Sequence, residues 1–188
     1  MPLIDKLIAA TLQRIGVGLA EYFDKSFETK SFDGKPWPKR RTDNRGTLMN
    51  ATGTLRRSIK YTVSGRSVRF VSNMPYAKIH NEGGKIRVTP KLKRFFWAKY
   101  RELVPKVKPA AKIGGRGKPR QSKSSLKTAK IAEFYKAMAL KKVGSYITIP
   151  QRQFIGPGRQ VSAIVEKQIN ICIIQPLTEA MKRQMKPK

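Results

Sequence analysis

The sequence predicts an α+β fold: a small, mostly antiparallel β-sheet packed with two long helices, N- and C-terminal, plus a basic helical and loop insertion. Three observations predict it. Apolar residues recur three or four apart over 3–30 and again over 161–185, the period of an amphipathic helix. Between these runs lie short alternating segments bounded by Gly, Pro, Ser and Asn, the pattern of strands and turns. The stretch 90–144 follows neither pattern and is dominated by Lys and Arg, so it reads as an insertion within one domain spanning 1–188.

The first helix carries Ile4, Leu7, Ile8, Leu12, Ile15, Leu19, Tyr22, Phe23 and Phe27 on one side, and Gly16 and Gly18 weaken it locally. At 1.5 Å per residue it is roughly 40 Å long, enough to cross a sheet or meet a neighbour. Residues 31–50 read as a loop, because Pro36 and Pro38 exclude helix and central strand. Trp37, between those prolines, is expected to anchor the loop on the body. A helix is expected over 48–60, capped by Thr52, with Leu55 and Ile59 on one face. Next comes a hairpin, 61–63 and 68–72 around Ser64-Gly65-Arg66, with Val68, Phe70 and Ser72 on one face. Residues 76–80 form a helical turn, and Gly83-Gly84 breaks the chain before a third strand at 85–89.

Within the insertion, 92–104 and 126–140 are expected to be helical around a Pro-, Gly-, Ser- and Lys-rich loop at 105–125. A strand at 145–150 and a turn holding Arg152 and Phe154 lead into the last helix, which Pro176 should kink.

Lys and Arg number 41 against 11 Asp and Glu, a formal net charge of +30, which calls for an acidic partner or surface. Hydrophobic residues make up 39%, enough for a modest core. The single cysteine, Cys172, lies in an apolar run and reads as a buried hydrophobe; the lack of a second fits a reducing compartment. No signal peptide or membrane span is visible: the best apolar run, 161–177, contains Glu166, Lys167 and Asn170.

Catalytic patterns are missing. His80 is the only histidine, and no Gly-x-Ser-x-Gly elbow accompanies it. One His and one Cys do not make a zinc site. The Gly-Lys pairs at 34–35, 84–85 and 117–118 are not P-loops, because Thr29, Ile79 and Lys112 stand where the first glycine is required. Acids are too few and scattered for a two-metal nuclease. The expectation is therefore no enzyme, no metal and no cofactor.

Four motifs follow one another in order. They are Phe32-Asp33-Gly34-Lys35-Pro36-Trp37-Pro38, Thr52-Gly53-Thr54-Leu55-Arg56-Arg57-Ser58-Ile59, Pro75-Tyr76-Ala77-Lys78-Ile79-His80-Asn81-Glu82-Gly83-Gly84, and Ile149-Pro150-Gln151-Arg152-Gln153-Phe154-Ile155-Gly156. This series resembles the phage virion morphogenesis family, the tail-completion proteins of long-tailed phages, over 1–89 and 145–188. The resemblance implies a structural virion protein assembled in the host cytoplasm. It would form a ring of itself, six copies by analogy, at the head–tail junction or head-proximal tail end, and meet tail tube and head-connector proteins there. Subunit or partner contacts are then expected at Trp37, Arg40, Arg41, Tyr76, His80, Glu82, Arg152 and Phe154.

Six copies would carry about +180 of formal charge, which acidic neighbours or DNA must offset. Lys112, Arg116, Lys118, Arg120 and Lys123 are the expected contacts, either to a DNA end in the channel or to an acidic protein. Two alternatives stand beside this reading: a basic nucleic-acid-binding protein of ribosomal or nucleoid type, and a head-closure or adaptor protein of the same neck.

Overall fold

A computed structural model of the chain describes residues 2–40, 47–107 and 122–185. The elements run α1 (Pro2–Thr29), β1 (Ser31–Phe32), β2 (Lys35–Pro36), α2 (Thr54–Arg57), β3 (Ile59–Ser64), β4 (Ser67–Ser72), α3 (Ala77–Glu82), β5 (Gly84–Arg87) and α4 (Pro90–Leu103). They continue through a short 3-10 turn (Val104–Lys106), α5 (Lys123–Leu140), β6 (Tyr146–Ile149), α6 (Arg159–Ile169), a π-helical segment (Asn170–Ile174) and α7 (Gln175–Gln184). The fold is α+β with long terminal helices. Its strands form three separate two-stranded antiparallel sheets, β1–β2, β3–β4 and β5–β6, where one small sheet was expected.

The chain folds as two compact units. The body comprises Met1–Pro38, Gly46–Gly83 and Pro150–Lys188; the basic unit comprises Lys39–Arg45 and Gly84–Ile149.

In the body, Ile15, Leu19, Phe23 and Phe27 recur every fourth residue and are all buried, so α1 faces the core along one stripe. Ile15, Leu19 and Phe23 join Phe32, with Val68 and Phe70 of β4 and Val161, Ile164, Val165 and Ile169 of the C-terminal helix packed around them. Phe27 belongs to a second cluster with Trp37, Leu55, Ala77 and Phe154. One helix therefore organises both clusters. Gly16 contributes through the hairpin: a side chain there would run into the Tyr61 ring of β3, so the glycine lets the hairpin lie against α1.

The hairpin pairs Ile59 with Ser72 through Ser64 with Ser67. Val68, Phe70 and Ser72 are half-buried and Ser67, Arg69 and Val71 are exposed, the alternation the sequence predicts. Two expectations are corrected. Asp33-Gly34 closes a miniature hairpin inside the expected loop, both residues having positive φ (50° and 77°), the two-residue turn that Asp-Gly favours. The expected helix over 48–60 shrinks to the four residues of α2, because Ile59 already belongs to β3 and places its side chain beside Tyr61 and Val63 on the strand's inner face.

The C-terminal helix accommodates Pro176 by a change of pitch. Pro has no N–H to donate, and its ring crowds the preceding turn. The chain widens to π-helix over Asn170–Ile174, and the Gln175 N–H reaches the Asn170 carbonyl five residues back. Cys172, in this segment, is half-buried rather than buried: it flanks α1, where its Sγ accepts an N–H from Arg14 at 3.6 Å.

In the basic unit β5 pairs with β6, Gly84 opposite Ile149 and Arg87 opposite Tyr146. Val88 and Gly144 extend that ladder by one step, since Val88 N–H donates to Ser145 O and Gly144 N–H to Val88 O. Thr89 and Ser122 cap α4 and α5 by accepting from Leu92 N and Ser125 N at 3.2 and 3.1 Å. Buried Val88, Ala132, Met138 and Ala139 form its small interior.

Phe154 is 1% exposed between Phe27 and the rest of its cluster. Phe154→Ala should therefore lower unfolding stability by about 3–5 kcal/mol in urea titration, the range for emptying a large buried site.

Candidate functional site

The four sequence motifs, the first and last more than a hundred residues apart, meet at one joint in the body. Trp37 is only 6% exposed; its ring stands edge-on to Phe27 at 5.5 Å, and its indole Nε1–H donates to the Gln153 carbonyl at 2.7 Å. Arg152, 7% exposed, donates from Nε to the Pro38 carbonyl at 3.0 Å, and its backbone N–H donates to the His80 carbonyl at 2.8 Å. Phe154 packs on Phe27 with ring centroids 5.2 Å apart. The second motif supplies buried Leu55 to the same cluster. Gly83 is needed at the crossing: its φ is 75°, and a Cβ there would lie 2.9 Å from the backbone nitrogen of Gln151.

Two residues of the motifs, not singled out from sequence as contacts, hold the joint. The Asn81 side-chain oxygen accepts from both Phe154 N and Ile155 N, at 2.9 and 3.0 Å. Asp33 caps α6 from the β1–β2 turn, accepting from Arg159 N at 3.1 Å and Gln160 N at 2.9 Å, while its own N–H donates to the Tyr22 hydroxyl. Those two backbone donors hold the Asp33 carboxyl below the usual aspartate range. Gly158, the residue preceding α6, has no side chain to cap with, so the cap comes from 126 residues away. An Asn or Asp opposite stranded N–H groups was the only available signal for either role, and nothing in a sequence states which N–H groups will be stranded.

His80 packs edge-on against Tyr76 at 6.0 Å, and its Nδ1 is buried without a hydrogen-bond partner. Burial first, and then the positive charge of Arg152, push its pKa below the ordinary histidine value. Tyr76 and Glu82 are exposed. Arg40 is half-buried in the basic unit, and Lys123 is exposed at the start of α5. Arg41, Lys112, Arg116, Lys118 and Arg120 lie outside the described residues. Elsewhere in the body, Arg56 of α2 grips Asp24 through two nitrogens and reaches Glu28 at 2.8 Å, fastening α2 to α1.

Among the described residues no cluster of three or more His, Cys, Asp and Glu is placed to hold a metal ion, and no helix is long and apolar enough to cross a membrane. Asn81, Asp33 and Arg152 of the joint are engaged in holding backbone. The profile of the phage virion morphogenesis family matches residues 6–173, and the chain belongs to that family. Its role is accordingly in the structure or assembly of the bacteriophage virion. No curated protein and no solved structure matches the chain.

Asn81→Ala should destabilise the body by about 1–3 kcal/mol for each of the two N–H groups it strands, read from denaturant midpoints. The His80 prediction concerns pH. Its folded pKa is depressed, so stability is full above the unfolded histidine value of about 6.5 and is lost as pH falls through the folded value. His80→Gln should flatten the fall in melting temperature between neutral and mildly acid pH.

Proposed function

We propose that the chain is the subunit of a ring at the head–tail junction or head-proximal end of the phage tail, completing the tail and joining it to the head. The observation that carries this reading, beyond the family, is a row of exposed apolar side chains. Ile174, Leu177, Met181 and Met185 follow one another three or four apart along α7 and its start, and each is more than half exposed. A chain with 41 basic residues has ample polar surface, so a continuous apolar stripe on its last helix marks a contact surface. In a closed ring each subunit offers one face to the neighbour on one side and a different face to the other. The hairpin supports the same reading. Among the described residues β3 and β4 pair only with each other, leaving outer edges that a neighbour's strand can extend. Tail tube and head-connector proteins are the partners on the ring's two sides.

Cryo-electron microscopy of intact particles tests this directly. The expected result is a ring of this chain at the head-proximal end of the tail. Density on the head side of the connector would place the chain as a head-closure protein instead, and absence from the virion would end the reading. Leu177→Asp/Met181→Asp should leave the melting temperature of the isolated chain unchanged within a few degrees, because both side chains are already solvated. The same variant should yield tails that do not join heads, counted by electron microscopy of lysates.

A further inference from the structure

The charge of the chain is unevenly placed. Between Lys85 and Lys142 stand 19 Lys and Arg against Glu102 and Glu133 alone. Within the described residues 84–107 and 122–149 the balance is fourteen to two, and eleven of the fourteen are lysines. Glu102 is already claimed, by Lys99 at 2.8 Å and Lys106 at 3.3 Å.

Helix α4 sorts these charges by face. Leu92, Phe96, Trp97, Tyr100 and Leu103 are half-buried on one side, where Phe96 meets Tyr135 of α5 at 6.3 Å and Lys136 lies over the Tyr100 ring at 6.0 Å. The opposite side exposes Lys91, Arg94, Phe95, Ala98, Arg101 and Glu102 at helical spacing, Glu102 being the acid that Lys99 and Lys106 already claim. Lys91, Arg94 and Arg101 form no ion pair among the described residues. Over ten residues their positions span about 15 Å of helix axis, the run of roughly four phosphates along one strand of a duplex.

We infer that the outer face of α4, centred on Lys91, Arg94 and Arg101, binds the phosphate backbone of DNA. The face joins one lysine to two arginines, and both residue types bind phosphate, lysine as a point charge and arginine through two parallel N–H donors. A phosphate-reading face needs no base contact, so it fits a protein that must hold DNA of any sequence. This deepens the ring reading, from which it takes only that the chain works where DNA passes.

Fluorescence anisotropy of the full chain on a short labelled duplex, across a salt series, tests it. Removing three phosphate contacts should reduce the slope of log K against log salt by about three. The Lys91→Gln/Arg94→Gln/Arg101→Gln variant is expected to show that loss and to bind at least tenfold more weakly at low salt. Lys91→Arg/Arg94→Lys/Arg101→Lys, which keeps the charge, should bind as the parent does. Lys6→Gln/Arg66→Gln/Lys182→Gln removes as much charge from exposed positions of the body and should change the slope by less than one. Equal losses in the two glutamine variants would overturn the inference, since binding would then follow net charge alone. Competition by polyglutamate as effective as by DNA at equal charge would overturn it in favour of an acidic protein. The ring is decided separately by microscopy: particles without a neck ring but with the expected slopes leave the DNA face standing, and a ring with equal losses removes the DNA face alone.

Discussion

The body depends on a single row of side chains. Ile15, Leu19, Phe23 and Phe27 lie one turn apart on α1 and are each 6% exposed or less. Both apolar clusters of the body form against that row, and between them they draw in the hairpin, the C-terminal helix, the Trp37 arm and the turn that carries Phe154. The shorter of these segments are too small to be stable alone: a two-stranded hairpin is marginal in water, and a four-residue helix more so. They persist because α1 is long enough to give each of them an apolar surface. The same dependence explains the glycine in the middle of that helix. Gly16 costs some helical stability, and what it admits is the Tyr61 ring, and with it the hairpin.

Apolar contact brings these segments together without fixing their register, which falls to a few polar groups. Asp33, Asn81 and Arg152 each bind backbone atoms of a segment remote in sequence, at α6, at the Phe154 turn and at the Trp37 arm. One amide oxygen serving two N–H groups, or one carboxylate closing a helix start, specifies a position that hydrophobic burial alone leaves loose. Each motif thus sends one or more buried side chains into the joint and leaves other residues exposed. Trp37, Arg152 and Phe154 are buried in the joint, while Tyr76 and Glu82 are among the exposed residues of the same motifs.

Much of this was legible in the sequence, for reasons that differ by element. The terminal helices declared themselves because a period of three to four residues, sustained for more than twenty, has one reading. The β3–β4 hairpin declared itself by alternation around a glycine turn. The helix over 48–60 was overextended because Leu55 and Ile59, four apart, fit one face of a helix, and Ile59 and Tyr61, two apart, fit one face of a strand equally well. The partner of Gly84–Arg87 is the strand Tyr146–Ile149, some sixty residues on, and no local pattern states such a pairing; hence the β3–β4 and β5–β6 sheets were read as one. Trp37 and Phe154 could be read as anchors from their chemistry. Asn81 and Asp33 could not be assigned, because their partners are backbone groups whose isolation is known only once the chain is folded.

Charge sets the terms on which such a scaffold can assemble. At ionic strengths near physiological the screening length is about 8 Å, so like charges on adjoining subunits repel mainly where their surfaces come close. A body that carries the apolar stripe of α7 and keeps most of the excess cations out of its own sequence can approach its neighbours at modest electrostatic cost. The basic unit, with sixteen cations to two acids among its described residues, would resist being packed against another copy of itself. Segregation of this kind separates two tasks that a uniformly basic surface would set against each other. In the proposed ring the apolar face would meet protein and the cationic face would meet polyanion. Each is then free to be strong, because neither has to be weakened to tolerate the other.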